Sequence, residues 1–238
     1  MNRSSHFANL SGLAYDKFDD KLTKKLKDLK YTTIKYVSNK GAQAIYLSNK
    51  EEQVIAFRGT EPKQFSDIKA DLKAWKIKSK TSGRVHDGFY DEVEKVWPEL
   101  IKLIKPKNLP LYMCGHSLGG AMATIAASRL KTEALYTFGS PRVGNKKWLD
   151  HVNVTHYRWR NNNDLVTKVP LWLMGFRHHG QLMYINYHGN LRNGLSTWQL
   201  IKDWFRGHCK AVSKFELFDG LRDHSIARYI KRTKENLY

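Results

Sequence analysis

The stretch Leu111-Tyr112-Met113-Cys114-Gly115-His116-Ser117-Leu118-Gly119-Gly120-Ala121 decides how this chain folds. Residues 111–114 form a short apolar run of strand type, 115–120 a glycine-rich turn, and 121–130 an alanine-rich run of helical character. A strand that turns sharply into a helix is the setting in which G-x-S-x-G lifts a serine hydroxyl off the top of a sheet. Glycines flank the serine because so tight a turn leaves no space for side chains beside it. The helix that follows aims its free N–H groups and its dipole at the place where an oxyanion would form. The segment from Asn108 to Ser128 contains no Asp, Glu, Lys or Arg, close to the length of a bilayer span. Pro110, Gly115, His116, Ser117 and the Gly119-Gly120 pair interrupt it at the middle, so it reads as strand, turn and helix.

Working outward, 42–48 and 53–58 look like two strands joined by the polar turn Asn49-Lys50-Glu51-Glu52. Phe89, Val93, Val96, Trp97, Leu100, Ile101 and Ile104 recur at helical spacing, with Pro98 marking a kink or restart. Further strands are expected at 134–138, 154–159 and 182–187, and late helices near 197–206 and 221–233. At the N-terminus Leu10, Leu13, Ala14 and Phe18 follow a helical pattern, ahead of a lysine-rich face from Lys17 to Lys30. Strands alternating with helices predict an α/β sheet, parallel in its second half, within a single domain covering 1–238.

A nucleophilic serine needs a base, and the base needs an orienting carboxylate, in the chain order Ser, Asp, His on this kind of sheet. Glu133, Asp150, Asp164 and Asp203 are the carboxylates available downstream of Ser117 before the last stretch. Asp164, in the polar loop Arg160-Asn161-Asn162-Asn163-Asp164-Leu165-Val166 just after a predicted strand, is where a sheet-borne acid belongs. Seven histidines follow the serine. His224, at the start of the terminal helix, has the right order, and His188 in Tyr187-His188-Gly189-Asn190 is held in reserve.

At this point the residues resemble the class 3, or fungal-type, lipases of the α/β-hydrolase superfamily. Phe57-Arg58-Gly59-Thr60 is similar to that family's strand-end oxyanion motif, and Val85-His86-Asp87-Gly88-Phe89 to its H-x-G-F element. Gly115 to Gly120 matches the nucleophile signature, and Thr137-Phe138-Gly139-Ser140-Pro141-Arg142-Val143-Gly144-Asn145 the strand-loop after it. Asn163-Asp164-Leu165-Val166 with Pro170 looks like the acid loop, and Asp223-His224 like the histidine loop. The resemblance implies an α/β-hydrolase fold with a central, mostly parallel sheet flanked by helices and a short helical lid. It implies Ser117 as nucleophile, His224 as base and Asp164 as its orienter, with oxyanion N–H groups from Thr60 and Leu118. The implied reaction is two-step hydrolysis of acylglycerol esters through an acyl-enzyme. The chain departs from the family at Leu165, where proline is common, and at Ala227, where an aromatic often stands; the nearest tyrosine is Tyr229.

The lid falls within 61–84 in this reading. Phe65, Ile68, Leu72 and Trp75 share one helical face there, and Lys69, Lys73 and Lys76 another. Such a helix covers an acyl site in water and turns its lysines toward headgroups at a lipid surface.

The chain has 238 residues, 41 Lys plus Arg against 22 Asp plus Glu, a net charge of +19, and 41% hydrophobic residues. That much apolar area excludes a disordered polymer. The positive charge suits a polyanion-binding protein without catalysis or a phospholipase A on anionic lipid surfaces, and both stand as alternatives. No zinc finger or RNA-recognition signature is present, and Gly139 to Lys146 has Asn145 where a phosphate loop needs lysine. No metal-ligand spacing occurs, so neither metal nor other cofactor is expected. Two cysteines, Cys114 and Cys209, make no disulfide scaffold, and Cys114 is expected as a buried thiol. The N-terminus lacks the apolar core of a signal peptide, so the default expectation is a cytoplasmic protein, with unconventional export left open.

Overall fold

The computed structural model describes residues 2–60, 75–105, 109–192, 199, 202 and 223–236. Most of the expected lid, 61–74, and all but two residues of the helix expected at 197–206 lie outside the described residues.

The chain starts with two helices, α1 (Arg3–Leu13) and α2 (Asp20–Asp28), each opened by a side chain that accepts a backbone N–H. Asn2 accepts from Ser5 and Asp19 from Leu22, and such a cap contributes about 1 kcal/mol. The meander β1 (Thr33–Asn39), β2 (Ala42–Ser48) and β3 (Gln53–Phe57) follows. A small antiparallel pair, β4 (Lys76–Lys78) and β5 (Arg84–His86), leads into α3 (Asp87–Leu103). Then come β6 (Leu111–His116), α4 (Leu118–Ala127), β7 (Ala134–Phe138), α5 (Lys146–Leu149) and β8 (Thr155–Asn161). The described chain closes with β9 (Gln181–Ile185), β10 (Leu191–Arg192) and α6 (Ile226–Glu235).

Eight strands form one sheet in the order β1-β2-β3-β6-β7-β8-β9-β10. Pairing is antiparallel at both edges and parallel from β3 through β9. Each parallel step needs a crossover, and α3, α4 and α5 lie in those crossovers. One face of the sheet carries an apolar cluster shared with α3 and α4, including Met113, Leu135, Val96 and Leu100. The other face holds α1, α2 and α6 over Phe7, Tyr136, Trp159 and Tyr229. The result is three layers. Helix α4 is buried along Gly119–Ala127, which explains why that run is built from Gly, Ala, Met, Thr and Ile: a polar or longer side chain would have no place to go.

Several boundaries differ from the sequence expectation. Helix α4 starts at Leu118 rather than 121, because the helix begins at the residue after the serine. The strand expected at 182–187 ends at Ile185, where Asn186 turns the chain by accepting the N–H groups of His188 and Asn190. The terminal helix begins at Ile226, just past His224, and runs to Glu235. Pro98 does not end its helix. Lys76, counted on the cationic face of a lid helix, is instead the first residue of β4, paired with His86. Edge strand β1 was not foreseen; only Val37 in it is buried, so its apolar pattern is weak. No helix among the described residues is long and apolar enough to cross a membrane. Cys114 is buried and free, and burial pushes its thiol up to about 12.

Candidate active site

Ser117 stands between β6 and α4 with φ 58° and ψ −128°, a left-handed backbone that a residue with a Cβ adopts only under constraint. Its N–H donates to the Phe138 carbonyl at 3.0 Å, tying the turn to the neighbouring strand. A Cβ on Gly115 would lie 2.3 Å from the carbonyl of Gly119, so the turn closes only around a glycine there.

The structure brings Ser117, His224 and Asp164 together across 107 and 60 residues of sequence. His224 Nε2 is 2.8 Å from Ser117 Oγ, and His224 Nδ1 is 3.0 Å from each oxygen of Asp164. A carboxylate only accepts, so Nδ1 carries the ring proton and Nε2 is left to accept from the serine hydroxyl. All three side chains are buried. His188 is exposed in the turn after β9, its ring 3.7 Å from that of Tyr187, and takes no part in this run.

Asp164 is held from four directions. Besides His224, it accepts from Tyr229 Oη at 2.6 Å and from the N–H of Val166 at 2.9 Å, while its own carbonyl accepts from Thr167 Oγ1. Tyr229 Oη in turn accepts the N–H of Asn161 at 2.9 Å. Burial and the adjacent Asp164 raise the Tyr229 hydroxyl well above the ordinary tyrosine range, so it stays a donor. Gly139 faces this dyad: with φ at 61°, a Cβ there would sit 2.7 Å from Asp164 Oδ2 and 2.9 Å from His224 Nδ1.

A second histidine, His116, backs the first. Its Nε2 meets the His224 carbonyl at 2.6 Å and its Nδ1 meets Tyr15 Oη at 2.8 Å. Burial first, and the neighbouring His224 ring second, hold His116 well below the ordinary histidine range. The neutral ring therefore donates from Nε2 and accepts at Nδ1, fixing the backbone that carries His224. The carboxylate of Asp223 accepts from the Asn163 N–H and from Arg228, which pins the same loop to the acid loop.

Thr60 and Leu118 lie on the wall of one cavity of 330 Å³, with Gly59, Arg58, Glu92 and Met122 among its other lining residues. Gly59 packs directly against Ser117 and the His116 carbonyl, which brings Thr60 to the serine's side. Tyr15, His116 and Tyr229 were not singled out as site residues from the sequence. His116 lies inside the signature, and Tyr229 stands two positions beyond the expected aromatic. Nothing in the sequence marks Tyr15, whose partner lies 101 residues away. Among the described residues no group of histidine, cysteine and carboxylate side chains could hold a metal ion.

A strand-borne buried serine, a neutral imidazole on its oxygen and a carboxylate behind the imidazole can transfer an acyl group. The sequence profile described as Lipase (class 3) matches residues 54–174, half of the chain, from β3 through the acid loop. The chain belongs to the class 3 lipases. This class 3 lipase is 37% identical over 106 residues to a secreted mono- and diacylglycerol lipase of Fusarium solani, an alignment covering 40% of this chain and 32% of that protein. It is 31% identical over 196 residues to a lipase of Rhizomucor miehei, covering 74% of this chain and 53% of the relative. The crystal structure of a lipase from Rhizopus microsporus var. chinensis superposes with a TM-score of 0.64 at 24% identity, over 76% of this chain and 73% of that one. The sheet and its flanking helices are thus those of the α/β-hydrolase fold. The chain spans between 28% and 34% of the length of several curated relatives that it matches.

Proposed function

We propose that this class 3 lipase is a serine carboxylic ester hydrolase that cleaves acylglycerol esters. The observation that carries the reading is the continuous hydrogen-bonded run Ser117–His224–Asp164. In the first step Ser117 Oγ attacks the ester carbonyl carbon while His224 Nε2 takes the hydroxyl proton. The backbone N–H groups of Leu118 and Thr60 stabilise the tetrahedral oxyanion. His224 then gives its proton to the departing alkoxide, leaving an acyl group on Ser117. Water, deprotonated by the same nitrogen, attacks that acyl group and restores the enzyme. Asp164 keeps the proton on Nδ1 and stabilises the imidazolium that forms in each step. Support for acylglycerol as the substrate comes from the family and from the mono- and diacylglycerol lipase among its relatives. The net charge of +19 supports attraction to anionic lipid surfaces.

Fluorophosphonate labelling tests the reaction. The wild-type protein should be labelled at Ser117 and Ser117→Ala should not; an unlabelled wild type would sink the hydrolase reading. Thr60→Val should lower kcat on a soluble ester, by as much as about 10²–10³ if the N–H moves with the side chain. Mono-, di- and triacylglycerols assayed beside phosphatidylglycerol separate an acylglycerol lipase from a phospholipase A, and turnover of the phospholipid alone would overturn the substrate assignment.

A further inference from the structure

Eight large apolar side chains are exposed among the described residues, and six of them belong to the acid loop or to its neighbour Trp75. Leu171, Trp172, Leu173 and Met174 are consecutive, and their exposures of 54, 57, 74 and 44% make one ridge of the whole run. Trp75 is 67% exposed beside it, next to Lys76, whose Nζ donates to the Met174 carbonyl at 2.6 Å. The ridge is not a loose loop. Trp172–Met174 is a 3-10 turn that Gly175 ends in the left-handed conformation. Arg177 donates to the Trp172 carbonyl at 2.6 Å, and the Arg142 guanidinium bonds the carbonyls of Lys168 and Pro170. Phe176 is fully buried immediately after the turn. The backbone is fastened on both sides while four apolar side chains face water.

We propose that this ridge is the element by which the protein docks onto an anionic lipid surface, a proposal that rests on the lipolytic reading above. Charge complementarity selects the occupant. From Leu165 through Lys202 there is no Asp or Glu, and Lys76 and Arg177 sit against the turn, each bonded to one of its carbonyls. Each Lys or Arg close to an anionic bilayer raises partitioning about fivefold. Size argues against a protein partner, which needs about 800 Å² on each side, several times what one four-residue turn offers. A Trp, two Leu and a Met on a cationic base suit insertion into the boundary between headgroups and acyl chains. The loop begins at the residue after Asp164, so docking there turns the catalytic side of the sheet toward the lipid.

Flotation with vesicles tests the proposal on the full-length protein. Wild type should bind phosphatidylcholine vesicles containing phosphatidylglycerol. Trp172→Ser/Leu173→Ser should bind them at least about tenfold more weakly, while Ile101→Ser, an exposed apolar residue on α3, should bind as wild type. Turnover of a soluble short-chain ester by the double variant should stay within twofold of wild type, which shows that it is folded. Brominated lipid should quench wild-type tryptophan fluorescence, and Trp172→Phe should bind equally but quench less. Binding by the double variant equal to wild type would overturn the ridge. So would a vesicle-free dimer that the double variant dissolves, which would assign the ridge to a second copy. Loss of Ser117 labelling with flotation intact would remove the hydrolase reading and leave the docking surface standing.

Discussion

At the scale of single residues, the run Ser117–His224–Asp164 depends on side chains outside it. Tyr229 is the clearest case: one hydroxyl donates to Asp164 and accepts from the Asn161 backbone, so it ties the acid to the end of β8. Tyr229→Phe removes one of the donors that hold the carboxylate and leaves a buried N–H unpaired. A hydrogen bond to a charged group contributes about 1.5–3 kcal/mol, so kcat on a soluble ester should fall about tenfold or more with KM nearly unchanged. A fall in KM affinity without a change in kcat would remove Tyr229 from the acid's support. The three side chains that the structure brings together were readable in the sequence because triad chemistry restricts identity and order: a serine between glycines, an acid after a strand, a histidine later. The choice between His224 and His188 was not readable from spacing, since it depends on contacts spanning more than one hundred residues. Tyr15 was unreadable for the same reason, being one aromatic among twenty-nine Phe, Trp and Tyr.

The acid loop and β8 show what whole elements contribute. Arg158 and Arg160 lie two residues apart on one face of β8, each with a buried Nε that no acceptor reaches among the described residues. Arg142 and Lys168 crowd the same region, and burial with its neighbouring arginines brings Arg158 down to about 9. Lys168 is lowered to about 8, by burial first and by Arg160 second, against the opposing pull of Asp164 and Asp223. Between pH 8 and 10.5 the unfolded chain keeps a proton on Lys168 that the folded protein has released, so stability from this group rises with pH through that window. The gain is at most about 1.4 kcal/mol per pH unit. Urea unfolding from pH 7.5 to 10 should show that rise in the wild type and a flatter curve in Lys168→Met; identical curves would refute it. Elements of this kind mark the limit of sequence reading. Strands β2, β3, β6 and β7 announce themselves as apolar runs because nearly every residue in them is buried. Strand β1 hides because an edge strand with one buried side chain has almost no apolar pattern, and the two residues of β10 have none.

Across the whole molecule, buried neutral histidines set the response to acid. Burial lowers His86 to about 4, and it holds His116, His156 and His178 well below the ordinary range. Their positions differ: His86 opens α3, His116 ends β6, His156 lies on β8 and His178 follows the acid loop. Unfolding lets each take up a proton once the pH falls below about 6.5, so each removes up to about 1.4 kcal/mol of stability per pH unit. For His86 the window runs from 6.5 down to 4. The urea midpoint should therefore drop steeply between pH 7 and pH 5, and a midpoint unchanged over that range would refute it. The molecule is also closed on itself. Gly12 of α1 meets Ile230 of α6, and the side chain of Asn2 donates to the carbonyls of Thr233 and Asn236. Because α6 carries Tyr229 and follows directly on His224, a growing polypeptide has its nucleophile long before it has its base. Until α6 emerges from the ribosome and docks beside α1, Ser117 does not have the ring of His224 against it. The order of synthesis thus keeps the run Ser117–His224–Asp164 from assembling while the chain is still being made.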